Sequence, residues 1–285
     1  MKKTLLTICL VWMCFSLSAQ KIIDLSGKWS FSIDRQDNGE KEKWFSHTLN
    51  DCINLPGSMP EKLKGDEVTA KTQWTGSLYD SSYYYNPYME KYRKEGNIKF
   101  PFFLTPDKHY VGAAWYQKEV NIPADWKGER ILLFLERPHI ETTVWVNGQK
   151  TGMQNSLCVP HQYDITRYVR PGKCTITIRV DNRIKEINVG PDSHSITDQT
   201  QGNWNGIVGR ICLQTTPKTY FDDIQIYPEP EQKLARVKVV IKGTGTAKVK
   251  LSAESFNTDK KHIVPAIQQE IKLNKGVTET EMVLP

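Results

Sequence analysis

The sequence has few cysteines, and none of them lies in a pattern in which cysteine usually does chemistry. Six cysteines occur in 285 residues. They form neither a CxxC pair nor a spacing with histidine that is typical of zinc sites. Low-complexity tracts are also absent, and hydrophobic residues at 39% with charged residues at 25% are near the values of folded domains. We therefore predict a folded protein with no metal ion and no cofactor.

Long hydrophobic runs are missing as well, with one short exception at the N-terminus. Leu5–Phe15 is apolar, follows Lys2 and Lys3, and precedes the small residues of Ser16–Ala19. This order is typical of a secretory signal peptide, and the apolar run is too short to span a membrane as a helix. We predict a signal peptide at residues 1–19, no membrane anchor, and export to the periplasm or the cell exterior.

Removal of the signal peptide would leave four cysteines in the mature chain. Four cysteines allow three pairings, and an exported protein meets oxidising conditions. Disulfides and buried free thiols both stay open as interpretations. The four residues are Cys52, Cys158, Cys174 and Cys212.

Concentrated charge of one sign is also absent. The formal net charge of +6 arises from 38 Lys and Arg against 32 Asp and Glu. Basic clusters such as Lys41–Lys43 have acidic residues nearby, so the charge is that of a solvated surface. The sequence therefore predicts no nucleic-acid partner.

The sequence does contain a series of short β-strand patterns. Trp29 and Phe31 alternate with polar residues, and so do the apolar residues of Thr175–Asp181. Asn147-Gly148 lies between two β-rich runs and predicts a hairpin with a type I′ turn. Many closely spaced strands with few helical stretches predict an all-β antiparallel sandwich. Three strand tryptophans are assigned to its core: Trp29, Trp115 and Trp145.

A second set of strands follows Thr216-Pro217. The patterns predict strands at Tyr220–Tyr227, Lys233–Lys242, Thr246–Ser255 and Ala266–Leu273, with Gly243–Gly245 as a turn. The lengths and spacing of these strands are similar to those of immunoglobulin-like sandwiches, which normally contain about 100 residues. Since only about 65 residues remain, we expect this sandwich to be incomplete.

The densest run of side-chain amides and glycines lies at Asp198–Arg210. Amides donate and accept hydrogen bonds, an indole ring offers a stacking face, and glycine lets the backbone approach a ligand. This combination favours a site for an uncharged, hydroxyl-rich ligand such as a sugar. The alternative is a turn between strands that braces a domain interface, because turns often have the same composition. The candidate substrate-binding residues are Asp198, Gln199, Gln201, Asn203, Trp204 and Asn205, with His161 and Tyr163 placed to flank the same edge.

Several short motifs occur in an order and spacing that resemble the N-terminal sugar-binding domain of glycoside hydrolase family 2. The likeness covers roughly residues 22–215, and the remainder is similar to the start of the family's immunoglobulin-like domain. The resemblance implies a galactose-binding-like jelly-roll sandwich at 20–216, followed at 217–285 by a partial immunoglobulin-like β-sandwich. The motifs are Leu25-x-Gly27-x-Trp29-x-Phe31, Trp115-Tyr116-x-x-x-Val120, Trp126-x-Gly128-x-Arg130, Val144-Trp145-Val146-Asn147-Gly148, Tyr163-Asp164-Ile165-Thr166 and Val180-Asp181-Asn182.

In that family, which contains β-galactosidases, β-glucuronidases and β-mannosidases, these domains precede a TIM barrel whose two glutamates hydrolyse the glycosidic bond. The sequence contains no Asn-Glu dipeptide, with which the family supplies its acid/base, so no catalytic residue is assigned. The resemblance predicts the carbohydrate-binding part of an exported, β-galactosidase-like β-glycosidase, with a catalytic barrel encoded downstream as its partner. A stand-alone carbohydrate-binding module and a non-catalytic structural sandwich are the alternatives.

The resemblance also bears on the candidate loop. In several family members the loop before a Gly-Ile-x-Arg strand gives an acidic side chain to the sugar subsite. The Gly-Ile pair at 206 and 207 matches that strand, but Gly209 stands where the arginine is expected and Arg210 follows it. Counting back from Gly206 places the acidic position near Thr200. Asp198 would occupy that position only if the alignment were shifted by two residues. Asp198 is therefore the candidate subsite carboxylate.

Overall fold

A computed structural model describes residues 20–76, 82–98, 105–185, 193–194, 196–200, 202–254 and 259–285. Nearly all of its regular structure is β-strand, which confirms the all-β prediction. The strands are β1 (Ile22–Asp24), β2 (Gly27–Asp34), β3 (Asp51–Leu55), β4 (Gly57–Ser58), β5 (Asp66–Glu67), β6 (Lys108–His109), β7 (Ala113–Ile122), β8 (Arg130–Pro138), β9 (Glu141–Val146), β10 (Gln149–Asn155), β11 (His161–Asp164), β12 (Gly172–Asp181), β13 (Gly206–Thr216), β14 (Tyr220–Glu229), β15 (Leu234–Glu254) and β16 (Ile263–Leu284). The helices are short: α1 (Ser82–Tyr85) and 3₁₀ turns at Trp44–Ser46, Pro87–Arg93, Ala124–Trp126 and Pro230–Gln232.

Strands β1 to β13 form the first unit, a sandwich of two antiparallel sheets to which β5 and β6 add a separate two-stranded ribbon. One sheet has the order β10-β9-β12-β7-β2-β3, and the other has the order β1-β13-β8-β11 with β4 also paired to β13. The predicted hairpin at Asn147-Gly148 joins β9 to β10, and both residues have positive φ, at 50° and 76°. These values are those of a type I′ turn, which the right-handed strand twist favours.

The core of the sandwich lies between the two sheets and follows the period of two. Trp29 and Phe31 of β2, Tyr116 of β7 and Leu133 and Leu135 of β8 belong to one buried cluster. Each of these side chains is at most 1% exposed. Because alternate residues of a strand point to the same face, each strand contributes to the core with every second residue.

Trp115 and Trp145 are also buried, at 0% and 2% exposure, but they lie in a cluster of their own. Their neighbours in sequence, such as Tyr116, face the main core, so the two indoles point from the opposite face of the same sheet. The segment between β2 and β3 covers them, with Trp44 and Phe45 packed against them. The burial of these tryptophans was predicted correctly, whereas the second cluster was not foreseen.

The second unit is a three-stranded antiparallel sheet of order β14-β15-β16. The predicted turn at Gly243–Gly245 is wrong, because β15 continues through it with a shift of register between the two glycines. A Cβ at position 243 would lie 2.5 Å from Thr219 Oγ1, so the strand passes close to the linker at this glycine. The bend lets Val239 and Val249, on either side of it, share one small core.

All four cysteines in the described chain are free thiols. Cys52 and Cys158 are exposed, whereas Cys174 and Cys212 are buried. Burial raises the pKa of the Cys174 thiol to about 11. The free-thiol interpretation therefore holds for this structure, and these buried thiols are uncharged at neutral pH.

Candidate functional site

The candidate loop leads into β13 at one end of the sandwich, where β8 ends and β7 begins. The backbone amide of His139 donates to the carbonyl of Gly206 over 3.3 Å, and the amide of Met59 donates to the carbonyl of Asn205 over 2.7 Å. The start of β13 is thereby fixed against both β8 and the β4 segment. The loop is held by long-range contacts and not only by its own turn geometry.

Asn205 serves as the anchor of this loop. Its side chain is fully buried, and its Oδ1 accepts a hydrogen bond of 2.8 Å from the Tyr116 hydroxyl. Its Nδ2 donates to the carbonyls of Gly112 and Val180 at 2.9 and 3.0 Å. Because both amide atoms are occupied by protein groups, the structure places Asn205 in the scaffold and leaves it no free group for a ligand.

Asp198 also points inward and is 7% exposed. Its Oδ1 accepts from the backbone amide of Asn203 at 2.7 Å. Its Oδ2 accepts from the backbone amide of Thr75 at 2.6 Å and lies 3.3 Å from His109 Nε2. The carboxylate thus ties the loop to two earlier segments, and a ligand would have to displace one of these partners to reach it.

Asn203 carries an unused acceptor in this buried region. Its Nδ2 donates to Thr75 Oγ1 at 2.9 Å and to the carbonyl of Asn182 at 3.0 Å. Its Oδ1 is buried with no partner among the described residues, and the same is true of His139 Nε2. The Asn203 side chain faces the His139 ring without completing a well-aligned hydrogen bond. Two complementary polar atoms therefore lie close together under the loop.

Trp204 lies over this pair and is partly exposed. Its ring stacks on the imidazole of His139, with the centroids 4.6 Å apart and the planes at 18°. Burial lowers the pKa of His139 to about 4, an effect that the Asn203 side chain partly opposes, so the imidazole is neutral at pH 7. One face of the indole is thus held by a neutral ring while the residue still reaches the surface.

Gln199 and Trp204 are the predicted site residues that remain partly exposed. Gln201 lies outside the described residues. His139 and Thr75 also belong to this region, although no periodicity or composition marks either of them in the sequence. Their part in the site depends on long-range contacts and could not be found from local patterns.

His161 and Tyr163, predicted to flank the same edge as the loop, lie inside the sandwich. His161 Nδ1 is 2.6 Å from Thr142 Oγ1, and the Tyr163 hydroxyl donates to the Thr142 carbonyl at 2.9 Å. Burial lowers the pKa of His161 and raises the pKa of Tyr163. Both side chains are at most 5% exposed, so they brace β11 against β9 in this structure.

The position of Arg210, one residue later than in the family's Gly-Ile-x-Arg motif, has a structural explanation. The register between β13 and β8 shifts between Val208 and Ile211, which is a β-bulge with one extra residue on β13. Gly209 occupies it with a φ of 78°, a conformation that favours glycine. Arg210 then points outward and forms an ion pair of 2.9 Å with Glu136. The inserted glycine changes the spacing of the motif without interrupting the strand.

Among the described residues, no group of three or more His, Cys, Asp or Glu side chains is placed to hold a metal ion. No helix in the described part of the chain is both long enough and apolar enough to cross a membrane.

Comparison with known proteins matches residues 22–217 to the family model described as "Glycosyl hydrolases family 2, sugar binding domain". Human β-glucuronidase is 24% identical over 266 residues, which cover 84% of this chain and 35% of that protein. The β-glucuronidase of Paenibacillus borealis is 25% identical over 222 residues, covering 73% and 31%.

Among solved structures, the β-glucuronidase of an uncultured Clostridium species aligns with a TM-score of 0.55 at 20% identity. The alignment covers 94% of this chain and 40% of that one. The chain thus spans about a third of the length of the curated relatives it matches.

Proposed function

The chain belongs to family 2 of the glycosyl hydrolases, through a sugar-binding domain that fills residues 22–217, and from this we propose that it is the carbohydrate-binding region of an exported β-glycosidase. In this proposal the loop at residues 198–205 supplies one wall of a sugar pocket. Trp204 provides a stacking face, and Gln199 provides a donor and an acceptor for sugar hydroxyls.

The observation that carries the proposal is the stacked pair of Trp204 and His139. A pyranose ring can pack its C–H face on an indole only if the indole is held still and reaches the surface. Trp204 is partly exposed and is fixed from beneath by a ring 4.6 Å away.

The substrate that we put first is a β-glucuronide. The relatives and solved structures reported above are named β-glucuronidases, so we give glucuronides priority over the galactosides that the motifs suggested. We propose that the two carboxyl groups for retaining hydrolysis, which must lie about 5–5.5 Å apart, come from a barrel outside these 285 residues. The N-terminal run Leu5–Phe15 supports export.

Binding is tested by calorimetry of the purified chain against methyl β-D-glucuronide, galactoside and mannoside. We expect measurable binding, strongest for the glucuronide. Trp204→Ala should weaken this binding about fivefold, since stacking on an aromatic ring contributes on the order of 1 kcal/mol. Trp204→Phe, which keeps a ring on His139, should retain most of it.

Two outcomes would contradict the proposal. No measurable binding to any of the three glycosides would favour a structural sandwich with no glycan ligand. Hydrolysis of aryl β-glycosides by the purified chain would contradict the proposal that the two catalytic carboxyl groups come from a barrel outside these 285 residues. Export is tested separately: the mature N-terminus should follow Ser18 or Ala19, and an uncleaved chain in the cytoplasm would contradict it.

A further inference from the structure

A groove of about 630 Å³ lies at the end of the sandwich away from the candidate loop. It is formed where β8 begins, where β7 ends, and where the chain passes from β11 to β12, with the linker to the second unit at its side. Its volume is within the range of about 300–1,000 Å³ that is typical of small-molecule sites. The lining residues are Ile122, Trp126, Lys127, Gly128, Glu129, Arg130, Ile131, Asp164, Thr166, Val169, Arg170, Pro171 and Lys218.

The floor of the groove is apolar and rigid. Ile122, Trp126, Ile131 and Val169 line it and are each at most 4% exposed, because most of their surface packs into the core of the sandwich. Pro171 adds a ring with a fixed backbone angle. Because these four side chains are fixed in the core, a ligand that contacts their exposed edges orders no flexible side chain of the floor, which keeps the entropic cost of binding low.

The rim of the groove carries an excess of positive charge. Lys127, Arg170 and Lys218 are exposed, and none of them forms an ion pair with any described residue. Arg170 is nevertheless held in place, because its Nη1 donates to the carbonyls of Val169 at 2.7 Å and Arg167 at 3.4 Å. These three side chains contribute a formal charge of +3 to the rim.

The other charges of the lining do not neutralise the three cations. Arg130 and Asp164 form an ion pair of 2.8 Å, and Arg130 also lies 3.8 Å from the centre of the Tyr220 ring. Glu129 is the remaining acid of the lining, so the rim holds three cations against one anion, a surplus of +2. The groove therefore combines an apolar floor with uncompensated positive charge.

We propose that this groove binds an acidic saccharide, a sugar that carries carboxylate or sulfate groups. The C–H face of a pyranose ring fits the apolar floor, and the anionic groups at its edge meet Lys127, Arg170 and Lys218. The preference for an anion follows from the charges of the groove, while the choice of a saccharide rests on the proposed carbohydrate-binding function.

Affinity electrophoresis of the full chain tests this in gels that contain polygalacturonate, dextran sulfate or neutral dextran. We expect retardation by the two acidic polymers and none by neutral dextran. The triple variant Lys127→Gln, Arg170→Gln and Lys218→Gln should raise the dissociation constant at least about tenfold, because it removes all three unpaired cations of the rim.

The matched control removes the same charge elsewhere. Lys41→Gln, Lys248→Gln and Lys250→Gln change three exposed lysines outside the groove lining, none of which forms an ion pair with a described residue. This control should stay within about twofold of the wild type. Equal losses in both triple variants would show a general charge effect and overturn the proposal, as would no loss in the groove variant.

Two further comparisons test the proposal. One distinguishes a saccharide from a peptide as the ligand, and the other distinguishes the groove from the Trp204 loop as the site. If poly-glutamate binds as tightly as polygalacturonate through the same three cations, the groove binds an acidic peptide and the saccharide assignment is wrong. Trp204→Ala should leave retardation by dextran sulfate unchanged, and the groove variant should leave binding of the neutral methyl galactoside and mannoside unchanged. Failure of the groove proposal is thus distinct from failure of the proposed function.

Discussion

The imidazole of His139 lies 4.6 Å from the indole of Trp204, at an angle of 18° between the rings. His139 directly follows β8 and Trp204 lies just before β13, so the contact is made at the shared end of two neighbouring strands of one sheet. The histidine is buried and neutral, and the tryptophan is partly exposed. The pair therefore presents a fixed aromatic face to solvent. Below it, His139 Nε2 is buried and has no hydrogen-bond partner among the described residues.

The neutrality of His139 predicts a dependence of stability on pH. Its folded pKa of about 4 lies below the ordinary value of 6.5. Between these values the unfolded chain binds a proton that the folded chain does not, so the free energy of unfolding falls as the pH drops from about 6.5 to about 4. The loss from this group should be about 3 kcal/mol, from a shift of 6.5 to about 4.

His139→Phe keeps a ring against Trp204 but cannot bind the proton, so its stability should fall less over this range. Urea denaturation at pH 7, 6, 5 and 4 measures the difference between the two slopes. Because the pKa of His161 is also lowered, the variant should keep part of the dependence. Identical slopes for the variant and the wild type would contradict the assignment to His139.

Asn205→Ala should destabilise the fold strongly. The change removes three hydrogen bonds and leaves the buried hydroxyl of Tyr116 without its acceptor. A buried polar group that loses its partner costs about 1–3 kcal/mol, so we expect a loss of about 3 kcal/mol in total. Thermal denaturation measures it against Gln199→Ala, a partly exposed neighbour that should change stability by no more than about 0.5 kcal/mol.

Gly206→Ala should separate the β4 segment from β13. A side chain at this position would lie 2.5 Å from the carbonyl oxygen of Gly57 and 2.8 Å from the Cα of Ser58, both of which are backbone atoms. Because backbone cannot retract as a flexible side chain does, we expect a loss of about 2–4 kcal/mol. Amide hydrogen exchange should also speed up at Met59, whose N–H is bonded to Asn205.

The control for this substitution is Gly152→Ala. There the new methyl group would meet the Tyr163 ring at 3.6 Å, which is ordinary contact. Its stability should stay near that of the wild type. If both alanine variants lose the same stability, the close approach of Gly206 to Gly57 is not the cause.

Asp181 should protect the fold against acid. Burial alone would raise the pKa of this carboxyl, but hydrogen bonds from Arg183 and Lys185, with the charge of Arg179, hold it well below its ordinary value. A lowered pKa stabilises the fold above the ordinary value near 4, and this stabilisation is lost as the pH falls below it. Asp181→Asn should therefore show a weaker loss of stability between pH 4 and pH 2.

At neutral pH the same variant should be less stable by about 1–3 kcal/mol, because buried Arg179 loses a counter-ion at 3.0 Å but keeps Asp37 at 2.6 Å and Glu141 at 3.4 Å. Glu119→Gln is the matched control, since Glu119 and Lys173 form an exposed pair that should contribute little. Chemical denaturation at several pH values compares the two variants. A similar effect of both would show that the buried network has no special role.

Local patterns predicted most of the strands and one turn of this protein. The alternation around Trp29 and the Asn147-Gly148 pair act over a few residues, because side-chain period and positive φ are properties of the local backbone. The same kind of evidence failed at Gly243–Gly245, where two glycines predicted a turn. Whether a glycine pair turns the chain or bends a continuing strand depends on the pairing with β16 and on the closeness of Thr219, both distant in sequence.

The sequence by itself determined the all-β class, the family and the position of the candidate loop. Only the tertiary structure decided which side chains of that loop face solvent. Asn205 and Trp204 are neighbours, yet one is fully buried and the other partly exposed. The reason is physical: Tyr116, Gly112 and Val180 come from other strands to bind Asn205, and His139 arrives from β8 to hold Trp204. Residue chemistry sets what a side chain can bind, and the packing of distant strands sets whether it is free to do so.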